Sequence, residues 1–150
     1  AQLNIIGDGS YSTTLQDIVN ENTFQNIVFW GRKPREEMYK YFSASDFLIV
    51  SLVDEPIFSL TVPAKVQTYI AANRPILAIV NGDAADIIKE NNLGYCAKPS
   101  DIAEIQDVFI KSIETDENNM QEFTKNCETL TNTTFNKEHI VNSLLNLLIK

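Results

Sequence analysis

The sequence predicts a parallel α/β fold, and three features of its patterning carry that expectation. Short apolar runs at 3–6, 26–30, 46–50, 76–80 and 94–97 are nearly continuous rather than alternating, which suits strands covered on both faces. Segments with apolar residues at helical spacing lie between them, as in successive β-α units. Glycine, proline and asparagine punctuate the junctions, where the chain must turn.

The first strand, 3–6, closes at Gly7-Asp8-Gly9, after which Leu15, Ile18 and Val19 recur with helical spacing. The two glycines suit a tight strand-to-helix turn, and a lone G-x-G is too short to assign a ligand. Strand 26–30 ends at Gly31 and leads into the basic loop Arg32-Lys33-Pro34-Arg35. Glu36 and Glu37 then fall in the first turn of a helix, where acids complement the dipole, and Met38, Tyr41 and Phe42 form its apolar face. The third strand, 46–50, gives way to SLVDEPIFSLTVPAKVQTYIAANRP at 51–75, the stretch around which the chain is organised. Its first half lacks apolar periodicity and is expected to be a loop. Pro63 suits the first turn of the next helix, because its missing N–H would have no partner there. Val66, Tyr69 and Ile70 follow on one face.

Strand 76–80 ends at Asn81-Gly82-Asp83, with Asp83 the expected N-cap of a helix that carries Ala84, Ala85, Ile87 and Ile88. After strand 94–97, Pro99-Ser100-Asp101 caps a helix with Ile102, Ile105, Val108, Phe109 and Ile113 on one face. Residues 115–119 read as an acidic break and 120–130 as a helix. Phe135 precedes a last amphipathic helix with Ile140, Leu144, Leu145 and Leu148 on one side. No repeat, low-complexity tract or linker divides the sequence, so 1–150 is expected to be a single domain.

With 150 residues, 44% of them hydrophobic, the chain is long enough to bury a real core. No apolar run approaches the ~20 residues of a membrane span, and the N-terminus lacks the order of a signal peptide. Cys96 and Cys127 have no metal-ligand spacing, so reduced thiols, a cytoplasmic setting and no metal site are expected. The lone His139 suits a surface position. A net charge of −8 argues against nucleic acid as a partner. That charge is uneven: 1–30 carries −3, 31–74 carries +1 and 75–150 carries −6, and all three arginines (Arg32, Arg35, Arg74) lie in the middle segment. A small anion with a few phosphates fits there while the remaining surface stays acidic.

In parallel α/β sheets, helix N-termini at the carboxyl edge of the strands point free N–H groups at bound anions. Within 51–75, Ser59, Thr61 and Thr68 add hydroxyls and Lys65 an ammonium; Arg32 and Lys33 belong to the same edge if the strands are parallel. A solvated connector would also contain such residues. What favours a site is the loop's length and its mixed run Asp54-Glu55-Pro56-Ile57-Phe58.

The phrases IIGDG (5–9), VFWGRKPREEMYKYFSASDFLIVSL (28–52) and FSLTVPAKVQTYIAANRPILAIVNGDAADIIKENNLG (58–94) resemble the C-terminal, nucleotide-sugar-binding half of a GT-B fold glycosyltransferase of the retaining group called family four. The likeness covers most of 3–110 and is strongest to the bacterial branch that builds surface polysaccharides, such as N-acetyl-fucosaminyl transferases. It implies a Rossmann-like parallel sheet with flanking helices, C-terminal helices, a UDP-sugar co-substrate and no further cofactor. It also implies roles. Gly31, Arg32, Lys33 and Pro34 would lie against the base, largely through backbone. Ser59, Leu60 and Thr61 would offer N–H groups to the diphosphate, and Lys65 is the catalytic candidate. Thr68 stands where the family has a glutamate that grips the ribose, and Leu60 where it has the first glutamate of a paired motif eight positions earlier. A threonine bonds a ribose less strongly than a carboxylate.

The family's C-terminal half starts one strand and one helix earlier, with a G-R segment and a lysine that contact the diphosphate. Neither lies ahead of Ala1. The expectation is therefore a portion truncated at its N-terminus, without the acceptor-binding domain and inactive alone. The intact enzyme would have that domain and peripheral membrane contact. Two other readings stay open: half of a nucleotide-sugar 2-epimerase, which needs a histidine and carboxylates near the sugar, and a non-catalytic α/β module of flavodoxin or receiver type. A receiver needs an acidic cluster at the first strand end, where only Asp8 stands.

Overall fold

A computed structural model describes residues 1–149. The backbone forms two compact units, Ala1–Tyr41 and Phe42–Lys150. In the first, β1 (Leu3–Ile6) pairs in parallel with β2 (Ile27–Gly31), Leu3 opposite Ile27, with a register shift between Ile5 and Ile6. The connection is α1 (Ser12–Glu21). A 3-10 turn (Arg35–Glu37) then leads into α2 (Met38–Ser43). No described residue of this unit is buried, and the expected apolar face of α1 is largely exposed at Leu15 and Ile18. Two strands and one helix offer too little surface to enclose a side chain completely.

The second unit holds the core. Parallel strands β3 (Leu48–Ser51), β4 (Ile76–Ile79) and β5 (Gly94–Ala97) run in the order β3-β4-β5. The chain passes from β3 through α3 (Pro56–Ser59) and α4 (Ala64–Ala71) to β4, and through α5 (Asp83–Glu90) to β5. Three helices close the chain: α6 (Ile102–Glu114), α7 (Glu117–Asn132) and α8 (Lys137–Leu148).

The continuous apolar pattern of 76–80 has its explanation in β4, which is covered on both sides. Ile76, Ala78 and Val80 join Val66, Tyr69, Ile70, Ala84, Ala85, Ile88, Leu93, Cys127 and Leu130 in one cluster. Leu77 faces the other way, against Ala97 and Val108. Gly94, at φ 141, is obligatory: a Cβ there would stand 2.8 Å from the Ile76 nitrogen and overlap its carbonyl oxygen.

Several boundaries differ from the sequence expectation. The loop after β3 contains α3, a four-residue helix with Pro56 at its start, too short for periodicity to reveal. Pro63 is the N-cap of α4 rather than a first-turn residue, and Gly82 rather than Asp83 is the N-cap of α5. The acidic stretch at 115–119 is where α7 begins, because Asp116 accepts the Asn119 N–H at 2.8 Å and so caps it. The α6 face is covered only in its middle: Val108 is buried, Ile105 and Phe109 pack beside it, and Ile102 and Ile113 are exposed. Ile140, Leu144, Leu145 and Leu148 on α8 are exposed as well. Among the described residues no helix is long and apolar enough to cross a membrane.

Candidate functional site

The sequence-selected residues divide between the two units. In the first are Gly31, Arg32, Lys33 and Pro34, at the end of β2 and in the loop that follows. The Gly31 carbonyl accepts the Gly7 N–H at 2.9 Å, which ties together the two turns that leave β1 and β2. Arg32 is exposed, and Pro34 is the N-cap of the 3-10 turn. The Lys33 ammonium lies 5.8 Å from the centre of the Trp30 ring, close enough for a cation–π attraction. That ring is fixed by its own N–H, donated to Asn4 Oδ1 at 2.9 Å, and by Tyr41 at 6.1 Å.

In the second unit are Ser59, Leu60, Thr61, Lys65 and Thr68. Helix α4 is anchored by Val66, Tyr69 and Ile70, all buried. The Tyr69 ring meets Phe42 edge-on at 5.6 Å and its hydroxyl donates to the Ile49 carbonyl at 3.4 Å. Burial raises its pKa above the ordinary phenol value. With that face turned inward, Lys65 and Thr68 are left on the exposed side. The N-cap Pro63 makes no side-chain capping bond; the Val66 N–H donates to the Pro63 carbonyl at 2.9 Å, and the N–H groups of Ala64 and Lys65 before it carry the partial positive charge of a helix start without a side-chain cap. Lys65, in that first turn, makes no ion pair among the described residues.

The hydroxyls behave differently from the ammonium. Ser59 Oγ donates to the Pro56 carbonyl at 2.7 Å, Thr61 Oγ1 to the Phe58 carbonyl at 3.3 Å, and Thr68 Oγ1 to the Ala64 carbonyl at 2.8 Å. Each proton is directed to local backbone, leaving the oxygen lone pairs as acceptors. Thr61 N–H also points at the Phe58 carbonyl, at a long 3.4 Å. A phosphate needs donors, so among these candidate residues Lys65 and the first N–H groups of α4 are the ones able to attract an anion.

Sequence reasoning left out two contributors. Asn81 Nδ2 donates to Asp54 Oδ1 at 2.7 Å, and Gly82 lies directly against Ser59. The Asn81-Gly82 pair is visible in the sequence as a turn signal, but nothing local says which loop the turn meets. A shallow depression of about 360 Å³ beside Arg74, Glu117, Thr124, Lys125 and Glu128 includes none of these residues.

Comparison with known proteins places this geometry in a family context. The family described as glycosyl transferases group 1 matches residues 1–115. The probable glycosyltransferase WbjE of Pseudomonas aeruginosa is 33% identical over 98 residues, which are 64% of this chain and 24% of WbjE. A crystal structure of an S. aureus TarM mutant in complex with fondaparinux, alpha-GlcNAc-glycerol and UDP superposes with a TM-score of 0.74 and 17% identity, over 98% of this chain and 29% of TarM. At that identity the likeness is one of fold, that of a GT-B glycosyltransferase. The chain spans about a quarter of WbjE and somewhat more of TarM.

Proposed function

This chain belongs to the group 1 glycosyl transferases, and from that premise we propose that it is the part of a retaining glycosyltransferase that holds a UDP-sugar donor. The sugar passes to an acceptor hydroxyl with its anomeric configuration kept, in the assembly of a surface polysaccharide. The single observation that carries the reading is the start of α4 without a side-chain cap, with the exposed Lys65 in its first turn and, among the described residues, no carboxylate paired to it. That TarM was solved with UDP supports the choice of nucleotide, and the likeness of VPAKVQTYIAANRPILA to the polysaccharide branch supports the choice of pathway.

The chemistry asked of the protein is electrostatic. As the bond between the sugar and the diphosphate breaks, negative charge collects on the leaving oxygen, and preorganised cations and N–H dipoles stabilise it more than they stabilise the bound donor. Lys65 and the α4 N-terminus supply such groups, with backbone N–H groups of Ser59, Leu60 and Thr61 beside them. Base contacts fall to Gly31, Arg32, Lys33 and Pro34, and Thr68 bonds the ribose.

Calorimetric titration with UDP and GDP tests this reading. Wild-type chain is expected to bind UDP in preference to GDP. Lys65→Ala is expected to bind UDP about tenfold to a hundredfold more weakly, the scale of one hydrogen bond to a charged group. Equal heats for wild type and variant would remove Lys65 from the site.

A further inference from the structure

Three contacts tie the segment after β3 to the turn after β4. Backbone pairing continues one residue past β3, with Leu52 N–H donating to the Ile79 carbonyl at 3.0 Å. Two residues on, Asp54 Oδ1 accepts from Asn81 Nδ2 at 2.7 Å. At the far end of α3 the Gly82 backbone rests on Ser59, so that a Cβ on Gly82 would overlap the Ser59 carbonyl oxygen and stand 2.6 Å from the Ser59 Cα. Gly82 also has φ 65 and ψ −145, a conformation open in practice to glycine alone.

The segment has little to hold it from within. Helix α3 has four residues and buries none of them, and a single turn cannot sustain itself in water. Val53, Ile57 and Leu60 are exposed, Leu60 to 77%. Leu52 and Val62 pack against the core at the two ends of the segment, and between them the contacts at Asn81 and Gly82 hold the stretch that bears Ser59 and Leu60.

We propose that the Asn81–Asp54 hydrogen bond, seated by the close packing at Gly82, is a positioning device that holds residues 54–61 in register for the donor's diphosphate. Neither Asn81 nor Asp54 touches the donor; both act through the backbone of Ser59, Leu60 and Thr61. The inference rests on the donor site proposed above. It adds the element that fixes the anion-facing loop, and locates that element on a different β-α crossing from the loop itself.

Exchanging the amide and the carboxylate isolates the pair. Asn81→Asp sets two carboxylates at hydrogen-bond distance, and at neutral pH they repel. The double variant Asp54→Asn with Asn81→Asp rebuilds an amide–carboxylate bond with donor and acceptor exchanged. UDP titrations of wild type and both variants are read alongside amide hydrogen exchange at Phe58 and Thr61. The single variant is expected to bind UDP about tenfold more weakly, the worth of one charge-assisted hydrogen bond, and to exchange faster at both amides. The double variant is expected to recover both. Wild-type affinity in Asn81→Asp, or a loss that the double variant does not recover, overturns the positioning role and leaves the donor site standing. Wild-type chain that takes up no UDP removes the donor site, and this inference with it.

Discussion

At the scale of single residues, burial decides chemistry that composition leaves open. Cys96 and Cys127 are both free thiols and are alike in the sequence, yet only Cys127 is fully buried. It donates to the Arg74 carbonyl at 3.5 Å, and desolvation pushes its pKa from 9.0 to about 11. Because the folded value lies above the unfolded one, the native state keeps this proton longer. The resulting stabilisation is complete below pH 9.0 and is lost as pH rises towards about 11. Urea midpoints measured through that window should fall less steeply for Cys127→Ala than for wild type. Parallel slopes would mean that the thiol titrates alike in both states. The candidate anion residues show a related division: the sequence groups Ser59, Thr61, Lys65 and Thr68, but only the coordinates show the three hydroxyl protons directed at Pro56, Phe58 and Ala64 carbonyls.

At the scale of elements, legibility follows length and chemistry. Strands 3–6 and 94–97 match β1 and β5 end to end, because a short apolar run closed by glycine or a charged residue has few other uses. Of the caps, the sequence showed Asp101 but not Asp116 or Asn136, and Asp83 lies one position inside α5. Asp101 accepts the Glu104 N–H at 2.9 Å, while Glu104 Oε2 accepts the Lys98 N–H at 2.9 Å, so each end of this short motif satisfies a backbone donor. Asp101→Ala should lower the stability of the second unit by about 1 kcal/mol, measured as a shift in the denaturation midpoint at unchanged m-value; a change below a few tenths would assign α6 to packing alone. Helix α3 was not legible, since four residues cannot display a period. Gly82 was not legible as a cap, because its role depends on the Ser59 backbone 23 positions away.

At the scale of the whole molecule, the distribution of burial predicts how the chain opens. Every buried hydrophobic residue lies in the unit Phe42–Lys150, so amides of β3, β4 and β5 should exchange with solvent only through the most costly opening of the chain. Amides of β1, β2 and α1 should exchange through cheaper ones. Native-state hydrogen exchange with mass-spectrometric readout reports both, and equal protection across 1–41 and 76–97 would contradict that ranking. The sequence by itself determined the parallel α/β class, the order of the strands and of the helices other than α3, and the likeness to a glycosyltransferase, because apolar runs, helical periodicity and turn residues are local and survive in one dimension. Only the tertiary structure decided which hydroxyls are spent on backbone, which turn seats the loop that bears Ser59, and which apolar faces of α1, α6 and α8 stay uncovered. Those outcomes depend on which segments meet across tens of residues, and spacing along a chain does not encode that.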